Sequence, residues 1–125
     1  MIGVRLLQIS ALYMVAGLVL GLAMGISSNF SLMSVHAHIL LLGWSAMAVT
    51  GIVYLVMPGC ARNRLATLHF WGHNLGLPVM TASLALQAYG QRNIEPAIAD
   101  SSALVLVSLL FFAINLFLNS KLDRP

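Results

Sequence analysis

An all-α integral membrane bundle of four helices is the fold this sequence predicts, and three observations carry that expectation. Hydrophobic residues make up 60% of the chain and charged residues 7%, with a mean hydropathy of +0.94; a soluble domain carries roughly 25% charged residues. Polar groups this scarce cannot cover a surface, so the solvent of the chain is lipid. The apolar residues fall into four runs, each near the ~20 residues that a spanning helix needs. None of the runs alternates, and only helices or closed barrels satisfy their backbone groups in lipid, so a barrel is excluded.

The runs follow in order. Residues 6–26 form the first, broken by Ser27-Ser28-Asn29-Phe30-Ser31. Residues 35–57 form the second, stopped by Pro58-Gly59. Residues 65–89 form the third, stopped by Gly90, and residues 97–119 the fourth, with Pro96 and Asp100-Ser101-Ser102 as its start signal. The whole chain, 1–125, reads as one transmembrane domain. The first run also resembles a secretory signal ending at Ala23-Met24-Gly25, but a signal core is about 7–15 residues. The longer run is therefore expected to be a retained span.

The net charge of +3 gathers into no basic patch, so nucleic acid is not an expected partner. The cations instead set orientation, since Lys and Arg mark the cytoplasmic side. Arg5, Arg62, Arg64, Lys121 and Arg124 fall on one side of a four-helix weave, and only Arg92 on the other, beside Glu95 and Asp100. Both termini are expected to be cytoplasmic, in a bacterial inner membrane. Short loops should pack sequence neighbours against each other. Cys60 stands alone, so no intramolecular disulfide forms.

Ionisable groups in a membrane core usually serve a function. No Asp, Glu, Lys or Arg lies deep in a run, yet all four histidines lie in or near one: His36 and His38 in the second, His69 and His73 in the third. Neutral imidazole is the commonest metal ligand, so the pattern points to a metal or haem protein. His36 and His38, two residues apart, point about 200° from each other on a helix and cannot hold one ion. His69 and His73, four apart, share a face and could grip a single ion. On or near the face of His36 lie Gly43, Met47, Thr50, Gly51 and Tyr54. The glycines leave a groove suited to a flat macrocycle, though by themselves they favour helix–helix packing. Pro78 should bend the third helix by freeing the Asn74 carbonyl. Trp44, Trp71 and Tyr89 suit interface anchoring or cofactor edges.

The stretch Val35-His36-Ala37-His38-Ile39-Leu40-Leu41-Leu42-Gly43-Trp44, ending in Val53-Tyr54-Leu55-Val56-Met57-Pro58, resembles the second helix of the haem-copper oxidase large subunit. It is most similar to the nitric-oxide reductase branch. In that family the opening histidine is an axial ligand of the low-spin haem, a role the resemblance carries onto His36. The His-x-His pair also resembles the family's tenth helix, whose two histidines serve two haems, and this implies a ligand role for His38. Leu68-His69-Phe70-Trp71 with the downstream Pro78 resembles the third helix, though His69 and His73 match no ligand there. The family's copper ligands and many of its spans are absent. The large subunit has approximate threefold symmetry in arcs of four helices. A homotrimer of this chain could imitate it, with His36 of one copy and His38 of the next sharing a haem.

Three classes of function follow. One is a haem b protein for electron transfer or for binding nitric oxide or oxygen, alone or with a redox partner protein. Another is a non-catalytic assembly subunit of a respiratory complex. The third is a carrier of copper or another transition metal at His69 and His73, with Met47 or Met80 as soft ligands. No nucleophile–base pair marks the chain as an autonomous enzyme.

Overall fold

As a computed structural model, the protein is described over residues 1–120. Lys121 and Arg124, two of the orienting cations, lie outside the described residues. Those residues build four long helices and one short one: α1 (Ile2–Ser27), α2 (Met33–Val56), α3 (Pro58–Ala61), α4 (Arg64–Ala88) and α5 (Glu95–Asn119). No strand occurs among them.

Three segments are long and apolar enough to cross a membrane: α1, α2 and Arg92–Asn119. Helix α4 has 25 residues, equal in length to α5, but Thr67, His69, His73, Asn74 and Gln87 dilute its apolar character. Its buried positions, Ala66, His69, Phe70, His73, Gly76, Leu77, Met80 and Ser83, repeat at three- and four-residue steps and form one inward stripe. The polar residues of greatest chemical interest therefore sit on the concealed face.

One boundary expectation changes. Helix α5 begins at Glu95 with Pro96 in its first turn, where a missing N–H matters least. Asp100, Ser101 and Ser102 lie inside the helix and do not start it; the Ser101 hydroxyl donates back to the Ala97 carbonyl at 2.6 Å. Helix α4 runs unbroken through Pro78. Near it, Thr81 donates to the Leu77 carbonyl at 3.0 Å and Asn74 Nδ2 to the Phe70 carbonyl at 2.8 Å. Two ends follow their residue chemistry. Asn63 caps α4 by accepting from the Ala66 N–H at 3.0 Å. After α4, Gly90 takes φ +93°, open to a residue without a Cβ.

Helix α2 is not uniform. Its first turns, Met33–His38, and its last, Met47–Val56, are α-helical, while Ile39–Ala46 is π-helical. A π segment uses wider i→i+5 spacing and is frequent at functional sites. It rotates everything after it relative to His36, so a constant turn per residue cannot predict which later side chains share the histidine's face.

The helices pair as two hairpins, α1 with α2 and α4 with α5. Lipid offers no hydrophobic drive for this pairing, so close packing and hydrogen bonds must supply it. Inside each hairpin, small residues let the backbones approach. A Cβ placed on Gly3 would stand 2.8 Å from the Gly51 carbonyl of α2, and one on Gly72 2.8 Å from the Ser108 side chain of α5. The buried core is filled by large side chains from both hairpins, among them Met47, Tyr54, Phe70, Leu77, Met80 and Phe112. No buried side-chain nitrogen or oxygen among the described residues lacks a hydrogen-bond partner.

Candidate functional site

The four histidines separate into two unlike sites. His36 sits one turn into α2 and is partly buried against α1. Its Nδ1 lies 2.8 Å from the Gly17 carbonyl. A carbonyl can only accept, so Nδ1 carries the proton and the Nε2 lone pair is free. The ring stacks over Gly21, where a Cβ would come within 2.7 Å of His36 Cε1. His38 turns elsewhere. Its Nδ1 donates to the Ser34 carbonyl of its own helix at 2.7 Å, with the Ser34 hydroxyl at 3.5 Å. Its Nε2 is likewise the free nitrogen. Both rings thus have one nitrogen fixed by a backbone carbonyl and the other unspent, the second-shell arrangement typical of metal-ligating histidine.

The residues expected beside His36 are placed as follows. The Tyr13 ring fills the notch at Gly43, where an added Cβ would stand 2.5 Å from Tyr13 Cγ. Met47 is fully buried in the core between the hairpins. Tyr54, on the last turns of α2, directs its hydroxyl to α4, 2.9 Å from His69 Nδ1. Within one chain, then, the face below His36 is packed with side chains, and the unspent nitrogens of the upper pair are the groups available to a ligand.

The lower pair is sealed. His69 and His73 have no exposed surface. His69 Nε2 and His73 Nδ1 stand 3.3 Å apart, and His73 Nε2 lies 2.9 Å from the Leu42 carbonyl. The tautomers follow from the end of this chain. Leu42 can only accept, so His73 donates from Nε2 and accepts at Nδ1. His69 therefore donates from Nε2 and accepts at Nδ1, which makes the Tyr54 hydroxyl a donor. Every member is neutral and every hydrogen bond runs from Tyr54 toward Leu42. The Phe112 ring of α5 closes the side, 5.6 Å from the Tyr54 ring and 5.3 Å from His69. The last acceptor, Leu42, belongs to the π-helical turn of α2. The chain is thus a polar stitch joining the two hairpins.

As a metal grip the lower pair is incomplete. No group of three or more His, Cys, Asp or Glu side chains gathers among the described residues. The two facing nitrogens hydrogen-bond each other, and their outer nitrogens are taken by Tyr54 and Leu42.

A second polar cluster lies at the α3 end, on residues that the apolar patterning did not single out. Asn115 of α5 is fully buried. Its amide donates to the Cys60 carbonyl at 2.7 Å and accepts from Asn63 at 2.7 Å and Asn119 at 2.9 Å. An asparagine inside an apolar run was the available signal. Beside this end, a cavity of about 160 Å³ is lined by Met1, Gly3, Tyr54, Pro58, Ala61 and Arg62, with Ile2 and Leu55. Tyr54 therefore belongs both to the cavity wall and to the buried chain.

No protein-family model, curated protein or solved structure matches this chain.

Proposed function

We propose that this chain is a membrane protein that binds haem b through histidines of α2, serving electron transfer or the binding of a diatomic gas. The observation that carries the reading is the hydrogen bonding of His36 and His38. Each ring donates Nδ1–H to a carbonyl and presents a free Nε2, which is how the protein side of an axial ligand is prepared. Haem held there would supply a one-electron couple if both axial positions were filled, or a gas-binding position if one stayed open. The resemblance of the segment around His36 to the haem-copper oxidase second helix points the same way.

Four membrane crossings accompany this reading, with α4 as the fourth. At 25 residues it extends about 37 Å, longer than the ~30 Å hydrocarbon core, and its histidines face the bundle. Arg5, Arg62 and Arg64 at one end, against Arg92 with Glu95 at the other, support cytoplasmic termini in a bacterial inner membrane. His38 hydrogen-bonds within its own helix and is partly exposed, and the space at Gly43 is taken by Tyr13. Both support a haem placed between copies of the chain, His36 of one facing His38 of the next, in a closed ring such as a trimer.

The test is a visible spectrum of detergent-purified protein, oxidised and dithionite-reduced, with a pyridine haemochrome to count haem. A sharp reduced α-band with near-stoichiometric haem b supports the reading, and added CO reports an open iron position. Protein that stays colourless after expression with excess haem overturns it. A monomeric mass by light scattering with haem retained overturns the shared-haem arrangement.

A further inference from the structure

The buried Tyr54–His69–His73 chain is unusual because it leads somewhere. Tyr54 and Leu42 lie on one helix, separated by somewhat less than the ~18 Å that the α-helical rise would give, because the π-helical turn at Ile39–Ala46 rises less per residue. Set against a hydrocarbon core of about 30 Å, the chain rises from near the α3 end of the bundle to about its middle. Its lower end shares Tyr54 with the cavity at Ala61 and Arg62. That cavity exceeds the ~30 Å³ that one water occupies in the liquid several-fold. A stitch between helices needs only one hydrogen bond. This one uses three groups in series, each of which can both give and take a proton.

We propose that Tyr54, His69 and His73 form a proton relay that admits one proton from the α3-end cavity and lodges it on His73. The step balances. The Tyr54 hydroxyl passes its proton to His69 Nδ1 and regains one from a hydronium ion in the cavity water, which leaves as neutral water. His69 Nε2 passes its proton to His73 Nδ1. His73 then carries protons on both nitrogens, donating Nδ1–H back to His69 Nε2 and Nε2–H to the Leu42 carbonyl. His69 is left neutral in its other tautomer, donating Nδ1–H to the Tyr54 oxygen. One proton has entered, no bond other than O–H and N–H has changed, and every hydrogen bond of the chain has reversed except that to Leu42. Leu42 cannot pass the proton on, so His73 is the terminus.

Among the described residues, the titratable groups packed around the pair are Tyr54 on α2, the histidines themselves on α4 and Tyr13 on α1, whose ring packs against the same core. From α5 the neighbours are Phe112 and the neutral amide of Asn115; from α3 and the turn after it, Cys60 and Arg62 lie at the cavity end. No carboxylate among the described residues lies near enough to bond the pair, so the proton rests on hydrogen bonds alone. The relay does not depend on haem, because its residues are distinct from His36 and His38.

The experiment uses the full chain without haem, labelled with ¹⁵N in its histidines and held in detergent micelles. Ring-nitrogen NMR reads tautomer, charge and hydrogen–deuterium exchange for each histidine. Acidification is expected to produce imidazolium at His73, with the tautomer of His69 switching in the same step. Tyr54→Phe removes the relay hydroxyl and should slow ring-proton exchange at His69 and His73 at least tenfold. Ala61→Trp fills the cavity and should slow it too, without touching the chain, so the proposal survives a Tyr54 variant that fails to fold. An unchanged His36 spectrum reports an intact bundle. Exchange that is unaltered or faster in the folded variants overturns the relay and leaves a static stitch. So does a His69–His73 pair that stays neutral until the protein unfolds, or one that charges at His69.

Discussion

The two histidine pairs of this protein are built from the same residue in the same bundle, and they are opposites. His36 and His38 each spend one ring nitrogen on a carbonyl and keep the other free. His69 and His73 spend both. The upper pair is partly exposed and stands at the start of a helix; the lower pair has no exposed surface. An imidazole in a membrane is therefore not one kind of signal. What decides its use is how many of its two nitrogens the protein has already satisfied. An unspent nitrogen can take a ligand from outside, whereas a fully spent ring can only exchange protons with its partners or hold helices together.

The comparison breaks most sharply at haem. His36→Ala removes the free nitrogen nearest α1 and should abolish most haem binding in the reduced-minus-oxidised spectrum. His73→Ala should leave that spectrum largely intact, because its nitrogens already have partners. A full spectrum in the first variant, or a lost one in the second, would reverse the roles assigned to the two pairs.

Stability should show the reverse order. His73→Leu removes the bond to the Leu42 carbonyl and leaves the His69 ring N–H without a partner inside the bundle. A buried group left unpaired costs about 1–3 kcal/mol in soluble proteins, and intramembrane hydrogen bonds average nearer ~0.6 kcal/mol, so a loss of about 2 kcal/mol is expected. His38→Leu, whose ring bonds within its own exposed turn, should change little. Thermal unfolding of both in the same detergent compares them directly, and equal losses would remove the distinction between sealed and open pairs.

Much of this arrangement was legible in the residues. Long apolar runs predict helices, and the structure contains three that are apolar and long enough to cross a membrane. The four-residue spacing of His69 and His73 predicts one shared face, and they meet at 3.3 Å. What the pattern could not reveal lies across helices. Nothing in the sequence marks the Leu42 carbonyl as an acceptor, because every residue has one. Nor does it mark the π-helical turn at Ile39–Ala46, which defeats face assignments that assume a constant pitch. Asn115 was visible as a polar residue in an apolar run, but its partners Asn63 and Cys60 arrive from a different connection.

The glycines sharpen the same point at smaller scale. Gly43 is vacant in sequence but occupied in space, since the Tyr13 ring lies where its Cβ would be. Gly43→Ala should overpack the α1–α2 interface and destabilise by about 1–2 kcal/mol. Tyr13→Leu should relieve the clash, so the double variant loses less than the sum of the two single changes. Strict additivity in thermal unfolding would mean the two positions do not touch.

Cys60 offers the smallest effect and a test of how closed the α3 end is. Its side chain is buried beside the Asn115 carbonyl, with Sγ at 4.0 Å, and burial pushes the thiol above its ordinary value of 9.0. Less thiolate and less access both slow alkylation, because the thiolate is the nucleophile. Maleimide should therefore label native protein far more slowly than denatured protein at neutral pH. The same shift has a sign in stability. In the folded state the thiol keeps its proton to higher pH than in the unfolded chain. Its contribution is thus fully present below that ordinary, unfolded value and declines as the pH rises from there through the higher folded value. Cys60→Ala should flatten that decline, leaving the neutral-pH midpoint nearly unchanged apart from the small volume lost. Rapid labelling of the native protein would mean that water reaches the α3 end beyond the cavity at Tyr54. The cluster around Asn115 would then be a solvated helix end and not the sealed floor beneath the buried histidines.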